Sequence, residues 1–143
     1  MECLESLKKN SYSNYEVLVV DNGSTGNDAD VLEQKYKDYA KVIRNAENLG
    51  FTGGNNSGIV YALKEQNPPE YIFLLNNDTE MEKDCLTNLV NVAQQTKAGI
   101  TGAVIKDIGE DKAEFVGLSA QLAQFRLLRT VSLVHKGMLQ RNQ

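Results

Sequence analysis

The chain has 143 residues, a net charge of −4, and ordinary hydrophobic (41%) and charged (24%) shares, which predicts one soluble globular domain with a core large enough to fold alone. The acidic balance argues against a nucleic-acid partner; no apolar stretch approaches the ~20 residues of a membrane span; and the acids and lysines of "MECLESLKKN" predict no signal peptide. One histidine, His135, and two distant cysteines, Cys3 and Cys85, fit neither a zinc spacing nor a Ser/His/Asp triad, and the cysteines read as reduced cytosolic thiols.

Glu2 to Lys9 opens the chain with Cys3, Leu4 and Leu7 at helical spacing. "YEVLVV" (Tyr15 to Val20) is β-branched and apolar on both faces, as in a central strand of a sheet covered on two sides. "NDADVLEQKYKDY" places Ala29, Leu32, Tyr36 and Tyr39 on one helical face. "KVIRN" reads as a short strand, and "GGNNSGIVYALKEQ" as a helix stopped by "NPP". "YIFLL" (Tyr71 to Leu75) is a second buried strand, "KDCLTNLVNVAQQ" another amphipathic helix and "GITGAVIK" another strand. Asp107 to Lys112 reads as a turn before "AEFVG". Strands alternating with helices at short spacing predict an α/β fold with a mostly parallel sheet. Residues 118–143 stand apart as a helical or irregular tail, with Leu118, Leu122 and Phe125 at helical spacing and four basic residues without an acid. Residues 1–117 then form the main domain.

Ligands of open α/β sheets sit at the carboxyl ends of the strands, and three unusual loops lie there. In "VVDNGSTGND", Asp21 leaves a buried strand directly. It could accept from a base N–H, with Ser24 or Thr25 at phosphate or ribose, or the loop could be a plain turn capped at Asn27 or Asp28. "RNAENLGFTGGNNSG" holds four glycines and four asparagines in fifteen residues. Both types form helices poorly, so the segment serves either close ligand approach and amide recognition or helix-on-sheet packing, the latter expected at Gly58. It is neither a Walker A loop nor a dinucleotide fingerprint. In "FLLNNDTEME", Asn76, Asn77 and Asp78 follow the apolar run. A hard cation with phosphate partners needs only one or two protein carboxylates; alternatively, Asp78 or Thr79 caps a helix near Lys83.

Together these loops resemble the family 2 glycosyltransferases of GT-A fold, over roughly Cys3 to Lys106, with the Asn-x-Asp form of strand exit found in rhamnosyltransferase-like members. The resemblance implies a Rossmann-like three-layer sandwich and inverting transfer from a nucleotide diphosphate sugar (UDP-, dTDP- or GDP-linked) to a saccharide or lipid-linked acceptor. It implies that Asp21, Asn22, Gly23, Ser24, Asn48, Gly50, Phe51, Gly54, Asn55 and Asn77 line the donor site. It further implies that Asp78 and Asn76 hold Mg²⁺ or Mn²⁺, with modest affinity because Asn76 replaces a carboxylate.

Two departures from the family pattern stand out. The strand that precedes the first helix in the family is missing, leaving "YEVLVV" and "YIFLL" to meet directly or to accept something between them; open edges there would invite a homodimer. No carboxylate after Asp78 sits in a recognisable acceptor motif, so no general base is assigned. The expected setting is cytoplasmic, with the basic tail available to a membrane-bound acceptor. A nucleotidyltransferase of similar fold and a non-catalytic nucleotide-binding remnant are the competing readings.

Overall fold

A computed structural model describes residues 2–106, 113–115 and 130–136. The chain divides into two compact units. One comprises residues 1–3, 14–79 and 127–143, and the other residues 4–13 and 80–126. Helix α1 (Glu2–Lys8) contributes residues to both.

The first unit is an α/β layer structure. Its strands are β1 (Tyr15–Asn22), β2 (Ala40–Asn45), β3 (Tyr71–Asn76) and, late in the chain, β6 (Thr130–Lys136). They form a single sheet of order β2-β1-β6-β3, every pair parallel. Helix α2 (Asp28–Tyr36) joins β1 to β2, and α3 (Gly50–Leu63) joins β2 to β3. The expected α/β class with an open parallel sheet is therefore present. Val17, Leu18, Val19 and Val20 are all buried, as a doubly covered strand requires. Leu18 and Val20 pack with Ala62 of α3, flanked by Ile43, Ile59, Tyr61 and Ile72. Helix α3 can lie close to the sheet because three of its four buried positions, Gly54, Gly58 and Ala62, recur every fourth residue and are small. Gly58 thus has the packing role expected of it.

Strand β6 changes the topology read from sequence. It lies within residues 118–143, expected to be helical or irregular, and it fills the place between β1 and β3. Its register is continuous on both sides, from Tyr15↔Thr130 to Asp21↔Lys136 and from Tyr71↔Thr130 to Asn76↔His135. The physical reason is a β-branched, apolar run, "TVSLV", beside two apolar strands whose facing edges would otherwise leave backbone groups unpaired. The two edges expected to attract a second copy are therefore paired within the chain. The proposed helical spacing of Leu118, Leu122 and Phe125 lies outside the described residues, as does the turn at 107–112.

Strand β3 is less enclosed than predicted. Leu75 is buried, whereas Leu74 is 46% exposed; among the described residues β3 pairs only with β6, which makes it an edge strand.

The second unit contains α4 (Cys85–Thr96) and a two-stranded antiparallel ribbon of β4 (Ile105–Lys106) and β5 (Ala113–Phe115). The strand expected over Gly99 to Lys106 is reduced to that short β4, with Ile100, Val104 and Ile105 exposed. Helix α4 buries Leu86, Val90 and Ala93 along one stripe. Residues 6–11 are tied to residues 81–84: Ser6 Oγ accepts from the Met81 N–H at 2.9 Å, and Ser11 Oγ donates to Asp84 Oδ1 at 2.7 Å.

Candidate functional site

Because all four strands of the sheet run the same way, their carboxyl ends form one edge. Asp21 and Asn22 end β1, Asn45 ends β2 and Asn76 ends β3. The three loops singled out in the sequence all leave from that edge, their first residues within one unit.

The best-defined part is a buried amide network. Asn22 is 2% exposed. Its Nδ2 donates to Asn48 Oδ1 and to the Gly50 carbonyl, both at 3.0 Å. Its Oδ1 accepts from Asn45 Nδ2 at 2.9 Å and from the Leu49 N–H at 3.1 Å. All four hydrogen-bonding positions of the amide are thus used internally. Asn45 Nδ2 also donates to Ser57 Oγ at 3.0 Å, and Ser57 Oγ donates to the Gly54 carbonyl at 2.8 Å. Asn48 Oδ1 accepts a second bond from the Gly50 N–H at 2.9 Å. The asparagines crowded into this stretch hold the loop before α3 against the end of β1. Asn45 was not foreseen as part of this arrangement; the signal was the asparagine run itself, since buried amides recruit one another.

Two glycines make the approach possible. Gly23 has φ +75°, and a β-carbon there would collide with the backbone of Glu47 and Asn48. Gly50, at φ +70°, lets the chain turn into α3 with open space above it. Beside it, Phe51 is 47% exposed, and Gly54 and Asn55 are buried in the first turns of the helix. Asn55 Nδ2 donates to the Phe51 carbonyl at 3.0 Å, one turn back.

Asp21 is half-buried, and its Oδ1 accepts from the Ser24 N–H three residues on at 3.2 Å, a side-chain bond that closes the loop. Ser24 and Thr25 are exposed. Asn27 occupies the N-cap position of α2 but makes no side-chain cap bond. On the far side of Asp21, Arg44 is turned away toward α2, donating to Asp30 at 2.6 Å and to Glu33 at 2.9 Å and 3.1 Å.

At the third loop the backbone turns immediately after Asn76. Asn77 and Asp78 form a turn closed by the Thr79 N–H donating to the Asn76 carbonyl at 3.3 Å, reinforced by Thr79 Oγ1 at 2.8 Å. The Cys3 thiol donates to the same carbonyl at 3.5 Å. Neither Asp78 nor Thr79 caps the following helix, because α4 starts at Cys85 with Asp84 at its N-cap. Asn76 and Asp78 are exposed, and no hydrogen bond or ion pair among the described residues engages the Asp78 carboxylate. The described residues include no cluster of three or more His, Cys, Asp or Glu side chains able to enclose a metal. The donor set fits a more open arrangement, in which one exposed carboxylate and a neighbouring amide meet a hard cation that keeps its other oxygen ligands from phosphate and water.

Comparison with known proteins bears on this edge. The family model described as "Glycosyl transferase family 2" matches residues 1–138. A low-salt glycan biosynthesis hexosyltransferase of Haloferax volcanii is 35% identical over 96 residues, covering 64% of this chain and 30% of that protein. A poly(ribitol-phosphate) beta-glucosyltransferase of Bacillus spizizenii is 29% identical over 111 residues, covering 75% of the chain and 17% of the relative. A teichoic acid poly(glycerol phosphate) polymerase of Staphylococcus epidermidis is 29% identical over 119 residues, covering 81% and 16% respectively. The chain thus spans less than a third of the length of these relatives. No solved structure is a significant match. With an open parallel sheet, its loops gathered at the carboxyl edge and a family model spanning nearly its whole length, the chain belongs to glycosyl transferase family 2.

Proposed function

We propose that this chain binds the donor of a glycosyl transfer reaction, a nucleotide diphosphate sugar, at the carboxyl edge of its parallel sheet. The observation that carries the reading is the placement of two carboxylates at that edge with different surroundings. Asp21 is half-buried and held by its own loop, whereas Asp78 is exposed and unengaged among the described residues. A held carboxylate suits recognition of a base N–H. A free one suits a cation.

In this reading Asp21 contacts the base, and Ser24 lies where ribose or phosphate would run. Gly50, Phe51, Gly54, Asn55 and Asn77 would meet the remainder of the donor. Asn22, Gly23 and Asn48 act one step back, by fixing the loop that the donor meets. Asp78 and Asn76 hold Mg²⁺ or Mn²⁺, which when bound would act as a Lewis acid for the departing diphosphate. The hexosyl class of the donor and a saccharide or polymer acceptor are suggested by the names of the Haloferax and Bacillus relatives. Transfer with inversion further requires a general base within reach of the acceptor hydroxyl, and none is assigned among the described residues.

Calorimetric titration with UDP, GDP and dTDP, with and without Mn²⁺, tests the proposal. Saturable binding of one nucleotide, strengthened by metal and weakened about ten- to a hundredfold by Asp21→Ala, is expected, since a hydrogen bond to a charged group contributes about 1.5–3 kcal/mol. Absence of binding by all three nucleotides would overturn it.

A further inference from the structure

The strand that fills the centre of the sheet brings with it residues that nothing above places in the site. The carboxyl end of β6 is level with those of its neighbours, so that Lys136 stands at the register position beside Asp21 and His135 at the position beside Asn76. Across the same row, Arg44 of β2 stands on the other side of Asp21.

The charges at this edge make that placement consequential. A nucleoside diphosphate brings two or more negative charges to a site whose own exposed or half-buried acids, Asp21 and Asp78, are negative as well. One divalent cation does not balance that total. Arg44 is the basic side chain nearest in register among those described, and it is committed to Asp30 and Glu33. Helix α3 offers no basic residue, since its sequence, "GFTGGNNSGIVYAL", carries no charge at all. Lys136 is therefore the lysine that topology delivers to the middle of the edge, between the loop that ends in Ser24 and the turn that carries Asp78.

We propose that Lys136 is a donor-binding residue whose positive charge serves the diphosphate, so that the late strand β6 completes the site as well as the sheet. The inference rests on the donor-site reading above and adds to it a phosphate-binding cation drawn from the carboxyl-terminal part of the chain.

The test is titration of the full chain, in EDTA and separately in Mn²⁺, with UDP, GDP and dTDP and with the matching nucleosides. Lys136→Gln is expected to weaken the diphosphate about tenfold or more and to leave the nucleoside within about twofold, with the larger loss in EDTA. Lys136→Arg should restore most of the diphosphate affinity, which a merely structural requirement for a neutral or short side chain would not do. Lys64→Gln removes the same charge from an exposed lysine at the far end of α3 and should change neither. Thermal unfolding of each variant separates loss of binding from loss of fold. Equal weakening of diphosphate and nucleoside by Lys136→Gln would overturn the inference, because it would mean that Lys136 acts only through Asp21. Unchanged diphosphate binding by that variant would overturn it as well while leaving the donor-site reading intact. No binding of any nucleotide by the unmodified chain would remove both.

Discussion

Asn22 and Asn48, 26 residues apart, are joined by a 3.0 Å hydrogen bond beneath the carboxyl edge of the sheet, and Asn22 has no hydrogen-bonding capacity left over. A residue type that suggests sugar recognition is here used to hold one loop to another. Replacing it should therefore act on stability first. Asn22→Ala removes the four hydrogen bonds made by this side chain, each contributing about 0.5–1.5 kcal/mol net. The variant is expected to lose about 2–4 kcal/mol in denaturant unfolding, and to lose nucleotide affinity because the loop before α3 is released. Wild-type stability with weakened binding would show that Asn22 contacts the ligand directly.

The same network shows which parts of the molecule could be read in advance. Helix and strand order from Glu2 to Thr96 follows from local signals: β-branched runs for β1 and β3, helical spacing of Leu86, Val90 and Ala93 for α4, and proline after α3. The loops at the carboxyl edge were legible because Asp21, the glycine-rich segment and Asn76 to Asp78 break the propensities of the elements they join. Two things were not legible. The division of labour among the asparagines depends on which amides are buried together, and that is a tertiary property. Strand β6 is hard to read in advance because its β-branched run, "TVSLV", is short and stands in a tail whose Leu118, Leu122 and Phe125 spacing reads as helical; the gap between β1 and β3 adds the tertiary reason for its conformation.

Asp78 differs from Asn22 in that no hydrogen bond or ion pair among the described residues depends on its carboxylate. It is exposed on a turn closed by Thr79 and the Asn76 carbonyl, both of which survive its removal. Asp78→Ala is expected to unfold within about 0.5 kcal/mol of the unmodified chain and to lose the Mn²⁺-dependent part of nucleotide affinity, leaving the binding seen in EDTA. Calorimetry with and without metal makes the comparison. Unaltered enhancement by Mn²⁺ would move the cation elsewhere.

Cys3 gives the fold a dependence on alkaline pH. Burial, with the nearby Asp78 carboxylate acting in the same direction, pushes its thiol up from 9.0 to about 11. The folded state therefore holds this proton more tightly than the unfolded chain. Its contribution to stability is complete below about pH 9 and is lost as pH rises through 11, because over that interval the unfolded state has released the proton and the folded state has not. Cys85 is shifted in the same direction, by burial and then by Glu82. Unfolding midpoints measured across this range should fall for the unmodified chain and fall less steeply for Cys3→Ser, which keeps a hydroxyl donor for the Asn76 carbonyl but does not titrate there. Parallel slopes for the two proteins would assign the alkaline loss to other groups.

Strand β6 carries the last prediction, because the sheet depends on it twice. It pairs in parallel with β1 along Tyr15 to Asp21 and with β3 along Tyr71 to Asn76. Removing residues 130–143 would expose both facing edges at once. Within those edges "VLVV" and "IFLL" contain no charge, proline or glycine to discourage pairing with another chain. The shortened chain is expected to scatter light as dimers or larger assemblies at concentrations where the full chain scatters less. It is also expected to lose nucleotide affinity, since the ends of β1 and β3 would no longer be held level across a shared neighbour. A peptide with the sequence TVSLVHK, added in excess, should reduce the association by occupying the vacated place. If the shortened chain instead matches the full chain in light scattering and in nucleotide binding, β1 and β3 can meet directly and β6 is dispensable. That result would separate the sheet's architecture from its carboxyl-terminal strand, and the placement of Lys136 beside Asp21 would no longer matter to the site.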